Sequence, residues 1–413
     1  MRRLQLVTFT GFFSLSGLLG CSSSISGPGA SNAGMGGASQ AQGGASAVAG
    51  QAGAGAGAGA SAGAGASAGA SAGAGGGAPN PAPGASAMMS AGWLYTMGNK
   101  IFVSNGASPG TPWIGRGVNV DDLFLCGYNY TLQTPDAEAL LKTEMDGLFS
   151  AWKPTFVRMS LGMSSYPTKV SWLTDEAKYK TPMTEVIRAI GAHPNTYVLV
   201  TLRSDVTMVG QDPGNAEPTG IPSDATNTPD KAQFPTGTDA VYVALVDTFA
   251  HDNFVLFGIT NEAGGNRASS DEITAAMGHA VSTIRAEEDK LGVPHHLVSV
   301  QGIGYSGNIG FWDKKPLTQD NVVYELHGYP PKVESYTYAN IPVIIGEYGS
   351  FDAAGPSSFF QDLESKLIPS LAWDFDPYSN CAPDLLDITH DATKLNPNDW
   401  GKSVQAYLTS HAK

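Results

Sequence analysis

The chain has 413 residues and a formal net charge of −14 at pH 7. It contains no Asp, Glu, Lys or Arg between Arg3 and Lys100, and no aromatic residue between Phe13 and Trp93. Such a segment cannot build a hydrophobic core, so the first quarter of the chain is not counted as a folded domain. The remainder is strongly acidic, which disfavours nucleic acid or an anionic membrane surface as a partner.

The N-terminus has the layout of an export signal. Arg2 and Arg3 precede an apolar run over residues 4–20, which is typical of a secretory signal peptide. The run ends in Leu-Leu-Gly-Cys21 and resembles a bacterial lipobox, in which Cys21 would carry the lipid. The alternative is an ordinary secretion signal with an incidental cysteine. We expect residues 1–21 to direct export, as a cell-surface lipoprotein or an extracellular protein, with membrane attachment only through Cys21.

Residues 22–90 consist almost entirely of Gly, Ala and Ser. Chains of this composition are flexible coils, and 69 residues would span on the order of 45 Å on average. We expect a disordered linker that tethers a domain at residues 91–413.

Two cysteines remain after Cys21, namely Cys126 and Cys381. An exported protein meets an oxidising environment, which favours a disulfide between them. Two unpaired buried thiols are the alternative. Their spacing does not match a metal-binding pattern.

The rest of the chain alternates strand-like and helix-like segments. Helical patterns separate several of the apolar strands, as in the stripe after Thr134-Pro135 and in the segment that opens with the capping box Ser269–Glu272 and stops at Gly292. This order predicts an α/β protein with a parallel sheet, and eight units favour a (β/α)8 TIM barrel over an open doubly wound sheet. Two short strands, 92–99 and 100–104, are expected to cap the floor of the barrel. The eight predicted strands are 113–120, 155–161, 196–202, 254–260, 296–301, 321–326, 341–345 and 371–375.

Polar residues gather where these strands end, which is the edge at which barrel active sites lie. Two apolar runs end in a glutamate, at Asn261-Glu262 and at Gly346-Glu347. Burying a carboxylate at the end of a strand has a large desolvation cost, so its presence there indicates a functional role. Two facing carboxylates are what the hydrolysis of a glycosidic bond requires.

Several motifs occur together and in a fixed order. Asn261-Glu262 ends one strand, His327-x-Tyr329 a later one and Gly346-Glu347 the next. Arg116-Gly-Val-Asn119, Phe156-Val-Arg158, the opening Gly92-Trp-Leu and the tryptophan of Leu371-Ala-Trp373 fit the same pattern. Over roughly residues 92–400 the chain resembles glycoside hydrolase family five, the cellulase-type enzymes.

The resemblance implies a barrel fold and cleavage with retention of anomeric configuration. Glu262 would be the acid/base and Glu347 the nucleophile. The resemblance also implies five substrate-binding residues. Arg158 and Tyr329 would orient Glu347, and Asn261 would bind the sugar 2-hydroxyl. His327 would contact the sugar or Glu262, and Trp373 would stack on the sugar. Each of Arg158, His327 and Trp373 also has a purely structural alternative.

One departure from the family concerns the third strand, which usually ends in a histidine. Here Leu202 is followed by Arg203-Ser204-Asp205. This indicates a divergent member and motivates an alternative function, a tethered barrel that binds glycan without cleaving it. The loop over residues 211–237 either shapes the cleft or is a solvated insertion.

Two other motifs are interpreted as coincidental. Gly302-x-Gly304-x-x-Gly307 matches a dinucleotide fingerprint, but the residues that follow do not open a helix. Gly106-x-Ser108-x-Gly110 matches the nucleophile elbow of serine esterases, a less favoured third function, but Pro109 removes an N–H that an oxyanion hole needs.

The sequence therefore predicts a retaining glycosidase that cleaves β-linked polysaccharide of the cellulose, β-glucan or mannan type, acting as a monomer without cofactor or metal. Asp121-Asp122 is expected to be a solvated part of the rim, and Trp312 to serve packing more than sugar binding.

Overall fold

The structure, a computed structural model, describes residues 92–104, 109–121, 137–162, 172, 176–203, 238–263, 268–330, 338–350, 357–378 and 383–412. The predicted signal peptide and linker, together with Cys21, Cys126 and Cys381, lie outside these residues, so their predictions stay predictions.

Eight parallel strands form a closed barrel, as the sequence predicts. Each strand pairs with the next along the chain, and the last pairs with the first to close the barrel. This closure excludes the open doubly wound sheet. The strands are β4 (Arg116–Asp121), β5 (Phe156–Gly162), β6 (Tyr197–Arg203), β7 (Val255–Gly258), β8 (Val298–Gln301), β9 (Val322–Gly328), β10 (Val343–Tyr348) and β11 (Ser370–Ala372).

Helices follow most of the strands and cover the barrel. The apolar side chains at helical spacing that the sequence predicts for the first of these helices are buried against the barrel. The helices are α1 (Ala137–Ala151), α2 (Thr181–Gly191), α3 (Thr238–Phe249), α4 (Ser270–Leu291), α5 (Gly310–Lys314), α6 (Ser357–Lys366) and α7 (Asp399–Ser410), with a π-helical turn, Glu176–Lys180, before α2.

The predicted ends of α4 are confirmed. The Ser269 hydroxyl accepts from the Glu272 N–H while the Glu272 carboxylate accepts from the Ser269 N–H, which completes a capping box. Gly292 ends the helix in the left-handed conformation, with φ of 67°, which is where glycine is favoured.

A small antiparallel sheet covers the N-terminal end of the barrel, in agreement with the two predicted capping strands. It contains β1 (Leu94–Met97), β2 (Lys100–Val103) and β3 (Thr111–Pro112). The Asn321 side chain, at the start of β9, donates to the Leu94 carbonyl at 3.1 Å and accepts from the Thr96 N–H at 3.0 Å. The opposite, C-terminal end of the barrel is therefore where a substrate can enter.

No helix among the described residues is both long enough and apolar enough to cross a lipid bilayer.

Candidate active site

All seven residues predicted to bind or cleave substrate come together at the C-terminal end of the barrel. Arg158 lies within β5, His327 within β9 and Glu347 within β10. The other four, which lie just beyond the ends of their strands, are Asn261, Glu262, Tyr329 and Trp373.

Arg158 is the centre of the site and is completely buried. Its Nη1 donates to both Glu347 Oε1 and Asn119 Oδ1 at 2.9 Å, and its Nη2 donates to Asn261 Oδ1 at 2.7 Å. Its Nε lies 3.0 Å from Glu325 Oε1, in an ion pair that is equally buried. A rigid planar guanidinium can hold four partners in fixed directions, so Arg158 positions both the nucleophile candidate and the asparagine beside the acid/base candidate.

Glu347 is held as a carboxylate. Besides Arg158, the Tyr329 hydroxyl donates to Glu347 Oε2 at 2.8 Å, and both contacts favour the ionised form. Glu347 is only 4% exposed. Burial raises the pKa of Tyr329 well above its ordinary value, as do the nearby carboxylates, so Tyr329 remains a hydrogen-bond donor.

A bulge in β10 directs Glu347 into the site. The pairing with β9 shifts between Ile345 and Glu347, which leaves Gly346 as an extra residue. A Cβ atom at Gly346 would lie 2.0 Å from Glu325 Oε1, so no larger residue fits there without movement. The Asn119 amide donates to the Gly346 carbonyl at 3.0 Å and so fixes the bulge.

Glu262 lies in a more exposed environment than Glu347. Its backbone has φ of 51°, a left-handed conformation that is rare outside glycine and is often found at functional sites. Its N–H donates to Gln301 Oε1, and its Oε1 lies 2.8 Å from His327 Nδ1. The side chain is 25% exposed, so Glu262 is the carboxyl group that faces the opening of the barrel.

His327 lies between three carboxylates. Nδ1 is 2.8 Å from Glu262 and 3.5 Å from Glu347, and Nε2 is 3.1 Å from Glu325. Burial alone would lower the pKa of His327, but the three carboxylates outweigh burial and raise it to about 9. These contacts favour the imidazolium form of His327, which can donate from both nitrogens.

The site holds two basic groups, Arg158 and His327, among three carboxyl groups, Glu262, Glu325 and Glu347. Burial would raise the pKa of Glu325, but Arg158, His327 and Ser299 together lower it to about 2. One carboxylate oxygen of Glu262, one of Glu347 and a ring nitrogen of His327 lie within 4.8 Å of one another.

Trp373 is buried at the edge of the site. Its side chain packs with Tyr329 in a small cluster separate from the main hydrophobic core, and its backbone N–H donates to the Tyr348 carbonyl at 2.8 Å. This places the indole beside the residue that binds Glu347.

Two supporting residues of the site had no assigned role in the sequence-based prediction. Glu325 and Asn119 are both fully buried and both contact Arg158. Glu325 had a recognisable signal, since it is a carboxylate inside an apolar strand and lies two residues before His327, on the same face. Asn119 is recognisable in the sequence as a polar residue near the end of a predicted strand and as part of the Arg116-Gly-Val-Asn119 motif.

One sequence-based expectation was wrong. Asp121 is not solvated, because β4 continues through it and leaves it 1% exposed. Asp122, Ser108, Asp205 and the loop 211–237 lie outside the described residues, as does the side chain of Arg203.

The structure describes the Gly302-x-Gly304-x-x-Gly307 motif and Trp312. Gly302 to Gly307 forms a tight hairpin, with an antiparallel bridge between Ile303 and Asn308, and not the turn into a helix that binds a dinucleotide. Trp312 is fully buried against Phe311 and Tyr324, which confirms a packing role.

Comparison with known proteins supports the family and the barrel fold. The sequence model of the family described as Cellulase (glycosyl hydrolase family 5) matches residues 125–340, slightly more than half of the chain. The match includes Arg158, Glu262 and His327 and ends before Glu347. No curated protein sequence matches the chain significantly.

Solved structures are similar in fold. A β-glucanase from Saccharophagus degradans is 17% identical with a TM-score of 0.56, covering 81% of this chain and 98% of its own. The same enzyme in complex with cellotetraose is 16% identical with a TM-score of 0.57, at the same coverage. The catalytic domain of an endoglucanase from Thermobifida fusca is 16% identical with a TM-score of 0.54, covering 77% of this chain and 97% of its own.

Proposed function

The chain belongs to glycosyl hydrolase family 5, and on that basis we propose that this glycosidase cleaves β-linked polysaccharide by double displacement, with Glu347 as nucleophile and Glu262 as acid/base. Cellulose-like β-glucan is the preferred substrate class, with β-mannan as the alternative. The cellotetraose complex of the similar S. degradans enzyme supports the choice of β-glucan.

The observation that carries the proposal is the short separation of two unequal carboxyl groups. Oxygens of Glu262 and Glu347 lie within 4.8 Å of each other. Retaining enzymes hold their two carboxyl groups about 5–5.5 Å apart, whereas inverting enzymes leave roughly 6.5–9.5 Å for a water molecule. The short separation supports direct attack on carbon.

The first half-reaction forms a glycosyl-enzyme. A Glu347 oxygen attacks the anomeric carbon while Glu262 transfers its proton to the glycosidic oxygen, and the bond between that carbon and oxygen breaks. Arg158 and Tyr329 fix the attacking carboxylate through the contacts at 2.9 and 2.8 Å. The imidazolium of His327, 2.8 Å from Glu262, balances the charge left on Glu262 after it loses the proton.

The second half-reaction reverses these roles. Glu262, now a carboxylate, takes a proton from a water molecule, whose oxygen attacks the anomeric carbon and releases Glu347. Both substitutions occur at the same carbon, so the configuration of the product matches that of the substrate.

Two further residues are proposed to bind the sugar. The Asn261 carbonyl oxygen is occupied by Arg158 at 2.7 Å, which directs its NH₂ group away from the arginine and makes it available to a sugar hydroxyl. Trp373 is proposed to provide an aromatic surface at the cleavage point, since sugar C–H faces pack on indole rings.

The test is reducing-sugar release by the full chain from β-glucans, mannans and xylans. We expect activity on β-glucan that Glu347→Gln abolishes and that Glu185→Gln, a change on the exposed side of α2, leaves intact. Binding of glycan without any sugar release would instead identify a non-catalytic binding barrel. Inactivation by a fluorophosphonate would identify a serine esterase.

We also propose that the protein is exported and anchored by lipid at Cys21, with residues 22–90 as a tether. The proposal rests on the sequence alone. Metabolic labelling with a radioactive fatty acid should mark the wild-type protein and not Cys21→Ser, and labelling of both would contradict it.

A further inference from the structure

A second group of carboxylates lies beside the active site and has no part in the mechanism above. Asp121 ends β4, and Asp374 and Asp376 follow β11. Their exposed fractions are 1%, 0% and 0%. One carboxylate oxygen from each lies within 4.8 Å of the others.

The backbone explains why these three side chains meet. Asn119 and Asp121 are two residues apart in β4 and therefore share a face, the one on which Asn119 contacts Arg158 inside the barrel. The chain after β11 continues alongside β4, since the Phe375 N–H donates to the Asn119 carbonyl at 2.9 Å. The Phe375 ring packs on Trp152 of the helical layer, which leaves the flanking Asp374 and Asp376 on the side of Asp121.

Neither oxygen of Asp374 accepts a hydrogen bond from an N–H or hydroxyl group of a described residue, and the side chain it contacts is another carboxyl group, that of Asp384. The charged groups that act most strongly on it are further carboxylates, those of Asp384, Asp121 and Asp376. A fully buried carboxylate aimed at other carboxylates is strongly unfavourable unless a proton or a cation neutralises it.

We propose that Asp121, Asp374 and Asp376 bind a Ca²⁺ ion that joins the end of β4 to the segment after β11. The donors are all carboxylate oxygens, which hard divalent cations prefer, whereas zinc sites use nitrogen and sulfur. Oxygens around Ca²⁺ lie about 2.3–2.6 Å from the ion, so opposite ligands are up to about 5 Å apart, in line with the observed span. Mg²⁺ holds its ligands at about 2.0–2.1 Å and usually retains several waters, which fits a dry, buried cluster less well.

The ion would have a structural role. Asp374 directly follows Trp373, so a cation held by Asp374 fixes the position of that indole relative to β4. Neutralising the buried carboxylates also favours the folded chain, because the separated carboxylates of the unfolded chain bind Ca²⁺ weakly.

The test is calorimetric titration of CaCl₂ into the EDTA-treated full chain, together with its thermal unfolding. We expect one Ca²⁺ per chain and a rise in Tm of roughly 5 °C at saturating CaCl₂. MgCl₂ at the same concentration should give a smaller rise. Asp374→Asn should remove both the binding and the rise in Tm. If that variant does not fold, Asp121→Asn provides the same test.

The control is Asp271→Asn, in the exposed first turn of α4, which should bind Ca²⁺ like the wild type. Failure of the wild type to bind Ca²⁺ would overturn the proposal and leave shared protons as the means of neutralisation. Equal binding by wild type and Asp374→Asn would also overturn it, since the ion would then bind elsewhere on this acidic chain. Neither readout depends on glycosidase activity.

Discussion

Glu325 and Arg158 form an ion pair at the base of the active site, with Nε and Oε1 3.0 Å apart and side chains 0–1% exposed. The pair is joined to the proposed nucleophile, because the same guanidinium donates to Glu347 at 2.9 Å. Glu325 also contacts His327, at 3.1 Å, so like Glu347 it touches both basic groups of the site. Its charge allows two cations to be buried beside a single nucleophilic carboxylate.

Glu325→Gln should destabilise the protein and impair catalysis together. Removing one partner of a buried ion pair costs about 3–5 kcal/mol, because the other charge remains uncompensated. Urea unfolding should detect a loss of that order, and kcat should fall because Arg158 and His327 lose a common anchor. A variant with unchanged stability would show that the pair contributes nothing net.

His327 predicts the alkaline limit of stability. Its pKa is raised from 6.5 to about 9, so its contribution is fully present below pH 6.5 and is lost as the pH rises through about 9. The contribution is on the order of 3 kcal/mol. His327→Gln should therefore flatten the decline in unfolding free energy between pH 6.5 and 9, measured by urea titration at each pH.

Glu325 gives the opposite dependence. Its pKa is lowered from 4.5 to about 2, so its contribution is present above pH 4.5 and is lost as the pH falls toward 2. In Glu325→Gln, the unfolding free energy should no longer fall between pH 4.5 and 2 on account of this carboxylate. The loss of stability at alkaline pH that depends on His327 should begin at a lower pH. An unchanged acid limb would contradict the assignment.

Gly346→Ala tests the bulge that directs Glu347. The new methyl group would overlap Glu325 Oε1, so Glu325 or the backbone must move, at a cost of roughly 1–3 kcal/mol and with a large loss of kcat. The matched control is Gly278→Ala in α4, where the nearest atom is a Leu317 methyl at 3.4 Å. That change should be neutral or stabilise the helix by up to about 1 kcal/mol. Thermal unfolding and steady-state assays of both variants make the comparison.

Much of the fold was predictable because each strand carries its own signal. Runs such as residues 196–202 and 254–260 are mostly apolar, as expected for strands buried on both faces. Asn261-Glu262 and Gly346-Glu347 were recognisable because a charged residue ended such a run. The sheet that covers the barrel floor followed from the two short segments near residue 100.

The features of the site that the sequence did not predict depend on contacts between residues that are far apart in the chain. Glu325 is a carboxylate inside an apolar strand, but its role became clear only with Arg158, from another strand, beside it. The bulge at Gly346 is a matter of register with β9 and has no local signature. Asp121 was expected to be solvated because its partners, Asp374 and Asp376, lie at the other end of the chain. The same separation conceals the candidate Ca²⁺ site from any spacing rule for metal ligands.

Tyr329→Phe should reduce kcat/KM by about 10- to 100-fold and also lower the stability of the folded chain. It removes one hydrogen bond to the Glu347 carboxylate, and bonds to charged groups are worth about 1.5–3 kcal/mol. The control Tyr324→Phe removes a hydroxyl that accepts from the Leu317 N–H, away from the site, so it should alter stability and spare kcat/KM. Equal activity of both variants would argue against Tyr329 as an orienting residue.

The central claim is that Glu347 becomes covalently bound to the sugar and that Glu262 handles the proton. The most direct measurement is trapping with an activated 2-deoxy-2-fluoro β-glycoside, followed by mass spectrometry of the digested protein. We expect a single adduct on Glu347 in the wild type and in Glu262→Ala, since an activated leaving group needs no acid. An adduct on any other residue, or turnover with inverted configuration and no adduct, would contradict it.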